Sequence, residues 1–388
     1  MNSFTRLAGS LSVLAFATLP TLAASNIDGL LETIRDKYEL PSLAAAVVRD
    51  GEVIAAGAVG TRVIGMDLPV TVDDRYHLGS DTKAMTATIA GTLVDEGLLR
   101  WDSTVGEVLG DKIEGMSAGL AAVTLEQLLS HSSGIPSDND ELMALYFNVN
   151  AFDHNPDTLR LMAIDAWKEN EPKVPDGSPF QYSNMGYMTA GAMIETAAGK
   201  PWEVLIHERI FEPLGLTSAG LGPQASYGRY DAPMGHRLNA DGSLTPATWG
   251  AAADVPPLMG PAGNAHMSVI DFARWGGWNA SGGVSPQIVS SETLAEIQRP
   301  HVVTPKMPNP PPGTPGEGQY AFGWGQSKFD WADHALLTHN GSNGMNLAKI
   351  LVDTENGLAI ATVTNQPGSK ADLALTEVVA ALYGEQTK

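Results

Sequence analysis

Ser80 and Lys83 have side chains and a separation that suit nucleophilic chemistry. In Ser80-Asp81-Thr82-Lys83 the serine follows a polar loop and precedes an apolar run with helical spacing, which predicts that it lies at the N-terminus of a helix. Residues three apart share one face of a helix, so the Lys83 amine can approach the Ser80 hydroxyl and take its proton. A capping serine beside a solvated lysine is the alternative, because one such match can arise by chance.

Tyr182 and Asn184 form a second pair of groups, suited to proton transfer and substrate orientation. A phenol can share a proton with a lysine and pass it to a leaving group, and a nearby amide can orient the amine and a substrate carbonyl. Tyr146-Phe147-Asn148 has the same spacing, but it lies in an apolar stretch, and we expect it to pack in a core.

His339-Asn340-Gly341-Ser342 follows a short apolar run and is the third candidate. A glycine at position 341 would let a substrate backbone approach a strand edge closely. The backbone N–H groups of Ser342 and Ser80 could together bind a developing oxyanion. Taken alone, His-Asn-Gly is also an ordinary turn sequence.

In this order, the three groups resemble the motifs of the penicillin-recognising serine hydrolases: class C β-lactamases, D-alanyl-D-alanine peptidases and related carboxylesterases. Further stretches resemble segments of that family: LLSHSSGIP at 128–136, FEPLGL at 211–216, PAG at 261–263 followed by Ser268 and Asp271, and FGWG at 322–325. The resemblance therefore covers nearly the whole chain after its first residues.

The resemblance implies a role for each residue of the first two motifs. Ser80 is expected to be the acylated nucleophile. Lys83 and Tyr182 are expected to handle protons, and Asn184 to position the substrate. Because the sequence has no glutamate motif of the class A type, we expect the base for deacylation to involve Tyr182.

The third motif departs from the pattern of the class C enzymes. They usually carry Lys-Thr-Gly, whereas His339-Asn340-Gly341 resembles the His-x-Gly of some peptidases and esterase-like relatives. The resemblance implies that these residues and Ser342 bind substrate. Loss of a fixed cation weakens the case for binding a carboxylate, so we expect an ester, amide or D-amino-acid substrate. A true class C-type β-lactamase or a D-alanyl-D-alanine carboxypeptidase is the alternative.

The hydrophobic pattern predicts the elements that carry these motifs. It favours helices at 27–38 and 371–383 and hairpins at 42–59 and 345–364, each with a polar-glycine turn. The middle is predicted to be helical at 83–96, 158–169, 186–198 and 202–211, and six prolines predict a stiff loop at 305–316. We therefore predict an α+β fold: an antiparallel sheet from both chain termini (about 24–75 and 265–388), flanked by helices, with a mostly helical part at about 76–264.

Composition narrows the possible partners. With 23 Lys and Arg against 44 Asp and Glu, the formal net charge is −21, which argues against nucleic acid and acidic membrane surfaces. The absence of cysteine excludes thiol nucleophiles, thiolate zinc sites and disulfides. We expect a small-molecule substrate, no cofactor and no metal, while the oligomeric state stays open.

Residues 1–23 resemble a secretory signal peptide. Arg6 precedes an apolar stretch that extends to Leu22, and Thr21 and Ala23 occupy the small-residue positions of a cleavage site. Polar residues leave this stretch short of the roughly 20 apolar residues of a spanning helix, although an uncleaved anchor is the alternative. We expect cleavage after about Ala23, no membrane span afterwards, and a periplasmic or secreted protein.

Two other interpretations compete with this one. Residues 115–119 match G-x-S-x-G, the nucleophile elbow of another hydrolase fold, but no buried strand precedes them, so we expect no catalytic role for Ser117. A non-catalytic binding protein on the same fold is the second. The complete set of candidate catalytic residues argues against it.

Overall fold

A computed structural model describes residues 24–148, 153–247, 249–250 and 253–387. The strands in this part of the chain are β1 (Ser25–Asn26), β2 (Ser42–Arg49), β3 (Glu52–Gly60), β4 (Arg75–His77), β5 (Gly220–Leu221), β6 (His236–Leu238), β7 (Leu244–Pro246), β8 (Ala265–Ser268), β9 (Val302–Val303), β10 (Gln319–Tyr320), β11 (Gly325–Ser327), β12 (Leu336–Gly341), β13 (Leu347–Asp353) and β14 (Leu358–Thr364). The α-helices are α1 (Asp28–Tyr38), α2 (Thr82–Asp95), α3 (Val105–Leu109), α4 (Ala118–Ala122), α5 (Leu125–Leu129), α6 (Asp140–Asn148), α7 (Pro156–Trp167), α8 (Asn184–Ala198), α9 (Trp202–Ile206), α10 (Gly260–Gly263), α11 (Val269–Ala280), α12 (Ser291–Gln298) and α13 (Ser369–Gln386). Short 3-10 helices occupy Gly79–Asp81 and Pro257–Met259, and a π-helical segment, His207–Phe211, follows α9.

The main sheet has the strand order β1-β3-β2-β14-β13-β12-β11-β10-β9 among the described residues. Neighbouring strands are antiparallel except for β1 and β3, which are parallel. The N-terminal and C-terminal strands meet where β2 pairs with β14, with Ala46 opposite Ala361. Two smaller sheets have the orders β4-β8-β5 and β6-β7. The predicted α+β fold, with its main sheet built from both chain ends, is confirmed.

The structure confirms the two predicted hairpins as β2–β3 and β13–β14. Turn chemistry explains the first of them. Asp50 and Gly51 have φ angles of 50° and 84°, and positive φ at both positions matches the turn to the twist of the strands. Strands β2, β13 and β14 are buried along almost their whole length. Such continuous apolar runs are typical of strands that are covered on both faces.

The predicted helices are confirmed with small shifts at their ends. The terminal helices correspond to α1 and α13, and the middle ones to α2, α7, α8 and α9 with the segment that follows it. Residues 305–316 lie outside any helix or strand. A backbone hydrogen bond from Met307 N–H to Gly316 O, at 2.8 Å, closes them into a loop.

Helices cover both faces of the main sheet. On one face α1 and α13 enclose a core in which Leu31, Ile360 and Leu375 are fully buried. On the other face α11 packs against β2, β13 and β14. The packing is so close that a Cβ atom on Gly277 would lie 2.3 Å from Val48 Cγ1. The larger core on this face includes side chains of α2 and α8, the helices that follow the first two motifs.

Three further predictions concern the N-terminal residues, membrane-spanning helices and the segment Tyr146-Phe147-Asn148. The predicted signal peptide, residues 1–23, lies outside the described residues. Within the described ranges, no helix combines the length and the apolar character needed to cross a bilayer. Tyr146 is buried as expected. Phe147 is 63% exposed, so the prediction that it packs in a core is wrong. Successive residues of a helix point about 100° apart, which turns Phe147 outward when Tyr146 faces the core.

Candidate active site

Ser80 lies in the 3-10 turn before α2, close to where the sequence predicts a helix start. Hydrogen bonds fix the turn: Leu78 N–H donates to Ala265 O at 2.9 Å, and Thr82 Oγ1 donates to Gly79 O at 2.7 Å. The residues on either side of Ser80 are buried, whereas Ser80 itself is partly exposed. Its hydroxyl is therefore held in one place and remains accessible to a small molecule.

The amine of Lys83 contacts the nucleophile and is surrounded by acceptors. Its Nζ lies 3.1 Å from Ser80 Oγ, 2.7 Å from Asn184 Oδ1 and 2.6 Å from Ala262 O. Three acceptors match the three N–H bonds of an ammonium group. In the neutral amine, the contact with Ser80 can reverse, so that the hydroxyl donates to the lone pair of Nζ. The sequence-based expectation that Lys83 meets Ser80 is thus realised in the geometry.

Burial tunes Lys83 for this exchange. The side chain is fully buried, and burial lowers the pKa of the amine to about 7, while the charges of Asp138 and Asp81 raise it. A pKa near the working pH provides the neutral base and lets the same group return a proton later in a reaction.

Tyr182 lies next to both groups. Nζ of Lys83 is 4.8 Å from the centroid of the Tyr182 ring. Burial raises the pKa of the Tyr182 phenol well above its ordinary value, and a side-chain hydrogen bond with Ser80 partly offsets this increase. The phenol is therefore neutral near pH 7 and can act as a proton donor or relay.

Asn184 is the first residue of α8 and connects the lysine to an acidic group. Ser183 caps the helix by accepting from Gly186 N–H at 3.1 Å, which fixes the helix start. The Asn184 amide accepts from Lys83 and donates through Nδ2 to Asp138 Oδ2 at 2.6 Å. Asp138 was not predicted from the sequence, because this exposed loop residue belongs to no motif with recognisable spacing.

His339 on β12 is buried between two polar groups. Its Nε2 lies 2.9 Å from the hydroxyl of Tyr320, and its Nδ1 lies 3.5 Å from Asp81 Oδ1. Asp81 is almost fully buried, and burial raises the pKa of its carboxyl group while the interaction with His339 lowers it. Asp81 follows the nucleophile directly, so its position was available from the sequence. The partnership with Tyr320 had no sequence signal.

Asn340 is not brought to this cluster. Neighbouring residues of a strand point to opposite faces of the sheet, so Asn340 faces away when His339 faces inward. The exposed Asn340 lines a small cavity with Lys349 and Thr376, a residue of α13. Its predicted part in substrate binding therefore has no geometric support.

Gly341 and Ser342 lie against the nucleophile turn. A Cβ atom on Gly341 would lie 1.8 Å from Leu78 O, so contact between the end of β12 and the turn itself requires glycine. A Cβ atom on Gly79 would lie 2.3 Å from Ser342 N. The backbone of Ser342 is therefore adjacent to the turn that carries Ser80, as two oxyanion donors would need to be.

Ser117 has a structural role in the described part of the chain. It is the N-cap of α4, accepting from Leu120 N–H and donating to Asn170 O at 2.8 Å. The segment before it, at residues 111–114, contains no strand. The G-x-S-x-G match therefore lacks the strand that a nucleophile elbow requires. In the described ranges, no group of three or more His, Asp or Glu residues is arranged to hold a metal ion.

The fold is that of the β-lactamase and penicillin-binding-protein class of serine hydrolases. A family model described as Beta-lactamase matches residues 27–385. Because this match spans nearly all of the sequence, the chain belongs to the beta-lactamase family, whose members are serine hydrolases.

The curated relatives include a penicillin-binding protein and a hydrolase. The chain is 28% identical over 363 residues to penicillin-binding protein 4 of Amycolatopsis lactamdurans, covering 91% of this chain and 88% of that protein. It is 26% identical over 339 residues to an unguisins hydrolase of Aspergillus campestris, covering 85% of this chain. The match spans only 59% of the length of that hydrolase.

Solved structures give the same picture of the fold. The octameric penicillin-binding protein homologue from Pyrococcus abyssi superposes with a TM-score of 0.73 at 26% identity, covering 92% of this chain and 77% of that one. A D-stereospecific amidohydrolase from Streptomyces sp. matches with a TM-score of 0.70 at 23% identity, covering 89% and 95%. The D-amino acid amidase from Ochrobactrum anthropi matches with a TM-score of 0.71 at 20% identity, covering 93% and 98%. At these identities, the last two are similar in fold alone.

Proposed function

We propose that the chain is an exported hydrolase that cleaves an ester or amide through an acyl-enzyme on Ser80. The observation that carries the proposal is the 3.1 Å contact between the buried Lys83 amine and the Ser80 hydroxyl, together with the Lys83 pKa of about 7. Lys83 takes the hydroxyl proton as Oγ attacks the carbonyl carbon. The oxyanion that forms binds to the N–H groups of Ser80 and Ser342.

The two halves of the reaction use the same proton carriers. When the bond between the carbonyl carbon and the leaving group breaks, Tyr182 gives a proton to the leaving group and recovers one from Lys83. Water then attacks the acyl carbon and loses its proton to this Lys83–Tyr182 pair. The bond to Ser80 Oγ breaks, and the serine is reprotonated by the same pair.

We propose an ester, an amide or a D-amino-acid derivative as the substrate, held by Asn184, His339 and the backbone of residues 341–342. His339 lies beside protein groups, Tyr320 and Asp81, and it stands where the class C enzymes usually carry a lysine that could bind a substrate carboxylate. The names of the amidohydrolase and the amidase of similar fold support the same substrate class.

The alternative is a D-alanyl-D-alanine carboxypeptidase or a class C-type β-lactamase. The similarity to penicillin-binding protein 4 favours this alternative. Comparing kcat/KM for a chromogenic cephalosporin with kcat/KM for short p-nitrophenyl esters tests the β-lactamase alternative. Far faster turnover of the cephalosporin would reverse our ranking.

Two features outside the site complete the proposal. Residues 1–23 would direct export to the periplasm or beyond, and cleavage would release a chain of residues 24–388. In that chain, residues of about 24–75 and 265–388 form the sheet part, and residues of about 76–264 form the helical part. Mass determination of the protein recovered from outside the cytoplasm tests both the export and the cleavage site.

Labelling of Ser80 tests the enzymatic assignment. After incubation with a fluorophosphonate, mass spectrometry should find the adduct on Ser80. Ser80→Ala and Lys83→Ala should each lower kcat by about a thousandfold or more, and the double variant should lose little beyond either one. Ser117→Ala, the matched control, should retain full activity. Absence of an adduct would favour a non-catalytic binding protein, and an adduct on Ser117 would favour the other hydrolase fold.

A further inference from the structure

A buried imidazole contacts the turn that carries Ser80. His77, at the end of β4, is fully buried, and its Nδ1 accepts from Gly79 N–H at 3.0 Å. A nitrogen that accepts this bond carries no proton, so the proton of the neutral ring is on Nε2. Nε2 lies 2.8 Å from Oδ1 of the buried Asp254. The Asp254 carboxylate thus lies beside the nitrogen that carries the proton in the tautomer that can hold the turn.

The same carboxylate contacts the loop that follows β12. Asn343 Nδ2 donates to Asp254 Oδ1 at 3.2 Å, and Asn343 Oδ1 accepts from Met345 N–H at 3.2 Å and from Asn346 N–H at 3.1 Å. Ser342, the residue before this asparagine, is further held by a bond from its hydroxyl to Asn346 O at 2.6 Å. The loop is thus fixed on both sides of Asn343.

The geometry points to a positioning function for His77, Asp254 and Asn343: they hold the N–H groups of Ser80 and Ser342 in the arrangement that binds the oxyanion. This inference rests on the proposed function. One carboxylate oxygen contacts both arms, the turn through His77 and the loop through Asn343. Asp254 therefore connects the two segments that carry the donors.

Such support matters because oxyanion donors act only when they are aimed correctly. Loss of one donor typically lowers kcat about a hundredfold to a thousandfold, and a shift of about 1 Å costs a similar amount. Gly79 has φ of 51° and leaves no room for a Cβ atom beside Ser342 N, so packing alone already restricts the turn. The hydrogen bond from Gly79 N–H to His77 additionally fixes the Leu78–Gly79 peptide, which lies next to the Gly79–Ser80 peptide that carries the Ser80 N–H.

Two variants of His77 separate positioning from bulk stability. His77→Leu fills the space but cannot accept from Gly79 N–H, whereas His77→Asn places an acceptor oxygen near the position of Nδ1. We expect His77→Leu to lower kcat for a short p-nitrophenyl ester by about a hundredfold, with KM changed less than about threefold. Inhibition by phenylboronic acid, which forms a tetrahedral adduct on Ser80, should weaken by a similar factor. His77→Asn should recover most of both losses.

A change on the loop side provides an independent measurement if His77→Leu does not fold. Asn343→Asp keeps the acceptor oxygen of the loop but loses the donor to Asp254 and adds a like charge. It should lower kcat and boronate affinity together, while the circular dichroism spectrum stays that of the wild type. The inference would be overturned if His77→Leu or Asn343→Asp folds and keeps the wild-type kcat and boronate affinity. It would also be overturned if the kcat and boronate affinity of His77→Asn are no higher than those of His77→Leu. If the wild type itself is not labelled at Ser80, the proposed function fails instead.

Discussion

The fold sets the pKa of Lys83 by burying its amine. A lysine in water has a pKa near 10.4 and is almost fully protonated at pH 7. Burial lowers the pKa of Lys83 to about 7, and the nearby carboxylates oppose this shift. Because the neutral amine is the form that takes the Ser80 proton, kcat/KM should rise as the pH increases through about 7.

Replacing Asp138 by asparagine should move that rise to lower pH. The Asp138 carboxylate raises the pKa of Lys83, so removing its charge lowers the pKa and enlarges the neutral fraction at any given pH. The asparagine oxygen can still accept from Asn184, which preserves the local geometry. The measurement is kcat/KM for a short p-nitrophenyl ester between about pH 5 and pH 9.

Asp102→Asn is the matched control, because the exposed Asp102 pairs with Arg100 and is not among the charges that raise the Lys83 pKa. Its pH profile should superpose on that of the wild type. A profile of Asp138→Asn that stays in place, or that moves to higher pH, would show that Lys83 is not the group that titrates.

A buried arginine connects helices α7, α8 and α9. Arg160 on α7 is fully buried and forms ion pairs with Glu195 on α8 and Glu203 on α9. Its guanidinium also donates to Leu258 O at 3.3 Å. Since α8 begins with Asn184, this group helps to hold the helix that presents the second motif.

Arg160→Met should destabilise the protein by about 3–5 kcal/mol, because it leaves Glu195 as a buried charge without its partner. The free energy of unfolding is measured by urea denaturation. Arg100→Met is the control: Arg100 pairs with Asp102 and Glu107 but is 63% exposed, and such pairs contribute about 0–1 kcal/mol. Equal losses for the two variants would mean that burial of the Arg160 cluster is energetically unimportant.

The C-terminal helix α13 completes the core on one face of the main sheet. α13 contributes Leu375, Val378, Val379 and Leu382 to the core between the sheet and α1. Burial of four such side chains is worth roughly 6–12 kcal/mol, which is comparable to the whole stability of a typical domain. The sheet that carries His339 thus depends on residues near the C-terminus.

A chain that ends at Gly368 should therefore lose its cooperative thermal unfolding transition and its activity. A chain that ends at Gln386 removes only the residues after α13 and should unfold like the full chain. Differential scanning calorimetry of the two proteins makes the comparison. A cooperative transition near the wild-type temperature in the shorter chain would show that α13 is dispensable for the fold.

Patterns within short stretches of sequence were sufficient to predict the helices, the hairpins and the first pair of site residues. The turn at Asp50 and the spacing of apolar residues predict the hairpins and helices, because hydrogen bonding and side-chain direction within an element are local. The pair Ser80 and Lys83 was predictable for the same reason, since both lie in one turn of chain. The burial of Phe147 was misjudged because burial depends on which face of an element meets the core.

The remaining features depend on contacts between residues far apart in the chain. Asp138 beside Asn184, Tyr320 beside His339, and Asp254 beside His77 have no common motif, and each pair forms only when the chain is folded. The pKa of Lys83 belongs to the same category, because desolvation exists only inside a packed core. Residue types and their order along the chain thus indicated the chemistry, whereas protonation states and the aim of each group followed from tertiary packing.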